Sequence, residues 1–221
     1  MNVSLVPPEH RGYRDWCRRQ RLRAADNRPR DPIARDYYQQ LMVWEAVVQR
    51  LLSVSVSECA AERILESEGV FGVRIRTKYN ELDFVSGSHL DPRVFVEIKL
   101  RERSESVGRT GWNQLRRSLA SARTRWPHLG GISVCVAMGR ILQTEEQLSV
   151  SPVRPDDLRG RLESVRCADG EVLWLDGQDV ADYGVAARML TEEDVQLLPE
   201  LRKDMLYPVR VLERLRRQGP A

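Results

Sequence analysis

Two short stretches of the chain carry residue types that could bind a metal ion and activate a water molecule. In the first, Leu82-Asp83-Phe84-Val85, Asp83 is a carboxylate among apolar residues, where a charge is costly unless a partner offsets it. In the second, Arg93–Leu100, alternating residues predict a strand that places Glu97 and Lys99 on one face. The two stretches therefore predict a pair of acids with a lysine close by.

The segment between these stretches is expected to bring the acids together. Residues 86–92 read Ser-Gly-Ser-His-Leu-Asp-Pro, which is typical of a turn and predicts a hairpin with Asp83 beside Glu97. Two carboxylates and the backbone carbonyl of Ile98 form a hard-oxygen set suited to Mg²⁺ or Mn²⁺. Lys99 would orient a water molecule or neutralise charge developing on a phosphate. This constellation is suited to phosphodiester cleavage.

Asp83 followed by Glu97-x-Lys99 resembles the core signature of the PD-(D/E)xK nuclease superfamily. Over residues 57–140 the sequence is similar to archaeal Holliday-junction resolvases and to the YraN-type bacterial proteins, although Asn80-Glu81 stands where the superfamily carries Pro or Gly. The resemblance implies a metal-dependent deoxyribonuclease with Mg²⁺ or Mn²⁺. The resemblance also implies that Glu58 binds the metal ion or acts as a general base, and that Gln114 is a further catalytic candidate.

The surrounding elements predict how these residues are positioned. Ser55-x-x-Glu58 has the form of a capping box and predicts a helix that ends at Gly69. Three antiparallel strands follow, the last two carrying Asp83 and Glu97, and then a helix from about Gly111 to Trp126 and a strand over Ile132–Met138. This order predicts an α/β fold with a mixed sheet flanked by helices. It is the αβββαβ arrangement of the restriction-endonuclease-like core, with helical extensions at both ends.

Three regions are predicted along the chain. Residues 1–54 form an Arg-rich leader and a helical extension, in which Asp31-Pro32 begins a helix with an apolar stripe up to about Ser53. Residues 55–140 form the nuclease-like core. Residues 141–221 form a C-terminal extension with a hairpin around 168–170 and further helices, one starting near Thr191.

Arginines near the predicted site and in the leader are candidates for contacts with a nucleic-acid backbone. Tyr13 and Trp16 in the leader could stack on bases. A solvated basic face explains the same residues almost as well, and both interpretations stay open. The candidates are Arg18, Arg19, Arg101, Arg103, Arg116 and Arg117.

Composition narrows the class of protein. The chain has 221 residues, 30% of them charged, a net charge of +3 and no apolar run of membrane-spanning length, so a cytoplasmic protein without membrane attachment is expected. Lysine occurs only at positions 78, 99 and 203 among 35 basic residues. A generic surface cation in this chain would be an arginine, whereas an ammonium group that can lose its proton has to be a lysine, so Lys99 supports the predicted site. The four cysteines form no C-x-x-C pair, so a zinc site is not expected.

The sequence thus predicts a divalent-metal-dependent endonuclease acting on DNA. The alternative is a subunit that keeps the nuclease scaffold without cutting and binds nucleic acid or a partner within a transposition, restriction or defence complex. A homodimer is also left open.

Overall fold

The computed structural model describes residues 2–24, 32–71, 74–101, 109–144, 151–165 and 171–203. Within these residues the chain is a mixed α/β protein with two sheets and six α-helices. The elements in chain order are β1 (Val3–Val6), α1 (Arg11–Ala24), α2 (Pro32–Ser55), β2 (Ile64–Phe71), β3 (Arg74–Glu81), β4 (Phe84–Gly87), β5 (Pro92–Arg101), α3 (Arg109–Ala122), β6 (Gly130–Ala137), α4 (Leu158–Ser164), β7 (Glu171–Asp176), α5 (Gly177–Ala186) and α6 (192–203).

The strands form two separate sheets. The first is antiparallel with the order β1-β2-β3, and the second has the order β4-β5-β6-β7. In the second sheet β4 pairs antiparallel with β5, while β5, β6 and β7 run parallel to one another. The predicted hairpin of β4 and β5 and the parallel return through a helix to β6 are therefore confirmed.

The alternating residues of strand β5 point to two faces, as predicted, and both faces are buried over most of its length. Val94, Val96 and Ile98 pack in one apolar cluster with residues of α2, β6 and α5. Phe95 packs in a second cluster with Leu115 and Leu119 of α3. When helices cover both faces of a mostly parallel sheet, the faces are apolar. Polar groups can then gather at the ends of the strands.

Helix α2 begins at Pro32 and runs to Ser55, in agreement with the predicted apolar stripe. Its buried residues, Tyr37, Trp44, Val47, Val48, Leu51 and Leu52, lie against the second sheet. Among its contacts are β4 and β5, the strands that carry the predicted acids. One face of this 24-residue helix therefore lies beside the predicted site.

The helix predicted from Ser55 to Gly69 is wrong. Residues 56–63 follow the end of α2 without helical structure, and Ile64–Phe71 is the central strand β2, paired with β1 and β3. The three-strand prediction also changes, because β3 belongs to the first sheet rather than pairing with β4. The capping-box pattern was outweighed by pairing with Val3–Val6, about sixty positions earlier, which a local pattern does not register.

The C-terminal region differs from its predicted hairpin. Leu158–Ser164 is a helix, and Glu171–Asp176 adds a parallel strand to the edge of β6. The helix predicted near Thr191 is present at 192–203, where the Thr191 hydroxyl accepts from the Asp194 N–H and the Asp194 carboxylate accepts from the Thr191 N–H. None of the described helices has the length and apolar character needed to cross a membrane.

Candidate functional site

Asp83 lies in the short bend between β3 and β4, where the chain passes from the first sheet to the second. The ladder between β4 and β5 begins with the pair Phe84 and Val96. Two residues further along β5, the Asp83 side chain takes the place of a strand backbone, since its Oδ2 accepts from the Ile98 N–H at 2.7 Å. The bend thereby fixes a carboxylate against the edge of β5.

The hydrogen bond also indicates where the Ile98 carbonyl points. In a strand the N–H and C=O of one residue point to the same side. Because the Ile98 N–H faces Asp83, the Ile98 carbonyl faces the same edge. The side chain of Arg63 braces the bend from the other direction, donating from Nη1 to the Asp83 carbonyl at 2.7 Å.

Glu97 and Lys99 lie on one face of β5, as the alternation predicted. The Lys99 ammonium donates to Glu97 Oε1 at 2.5 Å. Only 1% of the Glu97 side chain is exposed, whereas 28% of the Lys99 side chain is. The acid is therefore held inside the protein while the ammonium reaches toward solvent.

The stem of Lys99 runs against the start of α3. A methyl group in place of the Gly111 hydrogen would lie 2.9 Å from Lys99 Cε and 3.2 Å from Lys99 Cγ. The first separation is too short for two carbon atoms and the second is tighter than usual, so the lysine stem would have to shift. Gly111 is thus the residue that allows the lysine stem to pass between the strand and the helix.

Glu45 of α2 is a member of the site that the sequence prediction missed. Its half-buried carboxyl lies close enough to Asp83, Lys99 and Arg63 for their charges to alter its pKa. The sequence carried a signal for it, since Glu45 is the only charged residue between positions 37 and 49. The cost of a charge among apolar neighbours, which singled out Asp83, applied equally to Glu45.

Each of the three carboxyl groups has a raised pKa, and burial is the largest cause for each of them. Burial and the charge of Asp83 raise the pKa of Glu97 to about 7, with Lys99 opposing the change and Glu45 adding to it. Burial raises the pKa of Asp83, against the Ile98 hydrogen bond and the charges of Lys99 and Arg63. Burial and the Asp83 charge also raise the pKa of Glu45. One lysine and one arginine leave this group of acids short of positive charge.

The raised pKa of Glu97 predicts an unusual dependence of stability on pH. Between about pH 4.5 and about pH 7 the folded chain holds a proton on Glu97 that the unfolded chain releases. The free energy of unfolding of the metal-free protein should therefore fall as pH rises through this window. At pH 8, Glu97→Gln should be more stable than wild type by on the order of 2 kcal/mol. Urea denaturation at pH 5 and pH 8 measures both quantities.

Glu200→Gln provides the control for this measurement, because Glu200 is an exposed residue of α6. It should change the unfolding free energy by less than about 0.5 kcal/mol at either pH. A Glu97→Gln variant that is less stable than wild type at pH 8 would show that the carboxylate stabilises the fold.

Two further residues predicted for the site are placed differently from the central three. Glu58 is exposed and non-helical, and its carbonyl accepts from the Gly87 N–H at the far end of β4, 2.9 Å away. That end lies roughly 13 Å from the Asp83 end at the rise of a β-strand. Gln114 is exposed on α3, one turn beyond Gly111. Catalytic roles for both residues stay predictions.

The predicted backbone-contacting arginines are distributed over three elements. Arg101 is half-buried at the end of β5, on the same side as Glu97 and Lys99, and Arg116 and Arg117 are exposed on α3. Arg18 and Arg19 are exposed on α1. Arg103 lies outside the described residues.

The leader aromatics have structural partners. Tyr13 and Trp16 lie on α1 with ring centroids 5.9 and 6.0 Å from that of Tyr79 on β3. The Tyr13 hydroxyl also donates to Glu81. Tyr13 and Trp16 thus fasten α1 to the first sheet, and base stacking by these two rings stays a prediction.

A cavity of ≈ 580 Å³ lies elsewhere, at the opposite end of β5. It is lined by Asp91, Arg93 and His128 among others, and by none of the acids described above. The cavity and the acid cluster are therefore separate features of the molecule.

The residues at the edge of β5 fit Mg²⁺ in their chemistry. Within the described residues no three His, Cys, Asp or Glu side chains already stand in a metal-holding arrangement. Mg²⁺ does not need such a cage, since it is usually bound by one or two carboxylates and keeps several water molecules. Asp83, Glu97 and the Ile98 carbonyl are oxygen donors of this type, and the crowding of the acids favours a cation among them.

Comparison of the chain with protein-family models, with curated proteins and with solved structures finds no match. The chemistry of the site therefore has to be judged from its own residues.

Proposed function

We propose that this protein is a divalent-metal-dependent endonuclease that hydrolyses phosphodiester bonds in DNA. The observation that carries the proposal is the meeting of two acids and a lysine, Asp83, Glu97 and Lys99, at the edge of β5. The order of elements supports a restriction-endonuclease-like core in part, since the hairpin of β4 and β5 is followed by α3 and by the parallel strand β6. Four strands, β2 to β5, follow α2, and β2 and β3 belong to the other sheet, so that these two strands and the C-terminal elements lie outside that order.

In the proposal, Asp83, Glu97 and the Ile98 carbonyl would hold Mg²⁺ or Mn²⁺, with Glu45 completing the set of oxygen donors. The ion would supply an activated water molecule and polarise the phosphate group. The bend at Asp83 and the buried position of Glu97 hold the carboxylates in place beforehand. Little reorganisation would then be needed when a substrate binds.

Lys99 acts as the positive group of the site in this proposal. Its ammonium is already beside Glu97, and its stem is confined by Gly111. From this position the ammonium would orient the attacking water or stabilise negative charge on the phosphate oxygens. The exposed Arg116 and Arg117 of α3 would contact the nucleic-acid backbone, because α3 starts beside Lys99.

The proposal is tested by incubating the full chain with plasmid, single-stranded and branched DNA, with Mg²⁺, with Mn²⁺ or with a chelator. Metal-dependent cleavage of any of these substrates by wild type is the expected result. Binding with no cleavage under every metal condition would contradict the proposal and favour the non-catalytic subunit.

Gly111→Ala should separate activity from stability. The methyl group would press on Cε and Cγ of the lysine stem, which has several rotatable bonds and can shift away, and alanine also suits a helix. The unfolding free energy should therefore change by less than about 1 kcal/mol. Cleavage should fall by about 10- to 100-fold, since a displacement of about 1 Å at a reacting group has effects of this size. Urea denaturation and steady-state cleavage measure the two effects.

A double-variant comparison tests the reason for this loss. In a Lys99→Ala background, Gly111→Ala should cause no further decrease in cleavage, because the displaced group is already absent. Gly160→Ala is the matched glycine control, since a methyl group there meets no atom within 4 Å. Full additivity of the two losses would show that Gly111 acts through something other than Lys99.

A further inference from the structure

Helix α2 carries a strip of three exposed side chains and one half-buried side chain that leads to the acid cluster. Four residues spaced by three or four positions define this α2 strip: Arg35, Tyr38, Met42 and Glu45. At 3.6 residues per turn they fall within roughly 80° of one another around the helix axis. The strip therefore joins an arginine, two apolar side chains and the acid of the candidate site.

The apolar part of the strip is unusually exposed. Tyr38 is 52% exposed and Met42 is 71% exposed, although the opposite side of this helix segment includes the fully buried Trp44. Tyr37, the neighbour of Tyr38, is buried in the core. An aromatic ring and a methionine side by side at the surface are suited to contact with a flat apolar partner.

The charges at the two ends of the strip indicate what that partner is. Arg35, exposed at one end, suits a phosphate group, and the acid cluster at the other end suits a metal-bound phosphate. The distance from Arg35 to Glu45 is about 15 Å along the helix, the length of roughly four nucleotides at duplex spacing. Bases lying between the two phosphates would then meet Tyr38 and Met42.

We propose that the α2 strip binds unpaired nucleotides adjacent to the cleaved bond, with a base stacked on Tyr38, so that the substrate is single-stranded DNA or DNA with an unpaired flank. In an intact duplex the bases stack on each other and their faces are not available to a side chain. Stacking on an aromatic ring tolerates any base, because every base has an aromatic face. The inference rests on the proposed nuclease function for the position of the cleaved bond.

Binding is measured with a full-length Asp83→Asn protein, which leaves the DNA intact, by fluorescence anisotropy at fixed salt. A single-stranded oligonucleotide and a duplex with a single-stranded tail should bind about tenfold more tightly than a blunt duplex. Tyr38→Ala should remove most of this preference and Tyr38→Trp should keep it. Val54→Ala is the matched control, because Val54 is 55% exposed on the opposite side of the same helix.

A base analogue gives a signal that a purely structural role of Tyr38 would not affect. Quenching of 2-aminopurine fluorescence in the single-stranded oligonucleotide is expected with the parent protein and with Tyr38→Phe, and is expected to be lost with Tyr38→Ala. Equal binding of blunt and single-stranded DNA, or unchanged binding by Tyr38→Ala, would overturn the inference.

The α2 strip could instead join two copies of the chain. Sedimentation velocity of wild type and Tyr38→Ala distinguishes the two, since a dimer that Tyr38→Ala dissociates with no change in DNA binding would overturn the inference. Cleavage by wild type with no effect of Tyr38→Ala would reject the strip and leave the proposed nuclease intact. Tyr38-dependent binding of single strands without cleavage in Mg²⁺ or Mn²⁺ would support the strip and reject the nuclease.

Discussion

Asp83→Asn should lower metal-dependent cleavage of DNA by about 1,000-fold or more. The amide replaces a charged oxygen that would bind the metal ion, while its own oxygen still accepts the hydrogen bond from the Ile98 N–H. Neutralising a half-buried acid whose pKa is raised by its partial burial should also leave the metal-free protein at least as stable as wild type. Loss of activity together with retained stability would show that Asp83 serves chemistry rather than folding.

Lys99→Met should have an effect of similar size by a different route. Methionine keeps most of the stem that passes Gly111 but removes the ammonium that contacts Glu97. The affinity for Mg²⁺ should therefore persist while turnover is lost. Rates measured over a range of Mg²⁺ concentrations separate these two effects, since added metal should not restore Lys99→Met.

Lys203→Met is the matched control for this lysine, because it removes an ammonium from the exposed Lys203 of α6. It should leave cleavage within about twofold of wild type. Wild-type rates in both Asp83→Asn and Lys99→Met would reject the assigned site, whatever activity the protein shows.

The parts of the site that could be predicted from the sequence are those fixed by short-range periodicity. Alternation along β5 determines that Glu97 and Lys99 share a face, and turn residues determine that β4 returns against β5. Both features depend on neighbours within about fifteen positions. They are therefore visible in a single stretch of chain.

The first sheet could not be predicted in this way, because its pairing is not local. Glu58, Glu62 and Glu66 stand at four-residue spacing and suggest a helix, yet Glu66 accepts hydrogen bonds from Ser4 and Tyr79 as part of a strand. The strand that pairs with β2 on this side is Val3–Val6, about sixty positions earlier in the chain. A weak local preference for helix was thus outweighed by long-range pairing and by burial of Leu65.

The wrong helix also affects where a helical acid is expected. The sequence prediction placed it at Glu58 and did not consider Glu45, but the helix ends at Ser55, so that Glu58 falls beyond it. Glu45 lies ten positions before that end, in a helix that packs on β4 and β5. Burial of the Glu45 carboxylate costs free energy, and the same packing of α2 on the strands places this carboxylate near Asp83.

Replacing Glu45 and Glu58 separately tests which of the two carboxylates supports a metal ion. Glu45→Gln should reduce cleavage at limiting Mg²⁺ by about 10- to 100-fold, the range typical of residues that support a metal site. The loss should shrink as Mg²⁺ is raised, because Asp83 and Glu97 remain. Glu58→Gln should stay within about twofold of wild type, since its side chain is exposed at the far end of β4. A Mg²⁺ titration of cleavage measures both.

The expected effect of Glu45→Gln on stability shows whether a loss of activity could be caused by unfolding. Glu45→Gln removes a half-buried acid whose pKa is raised by burial and by Asp83, so the metal-free protein should become slightly more stable at pH 8. A drop in activity then has no unfolding to explain it. If Glu58→Gln alone raised the Mg²⁺ requirement, the acid would come from the segment after α2, and the helix would only shape the core.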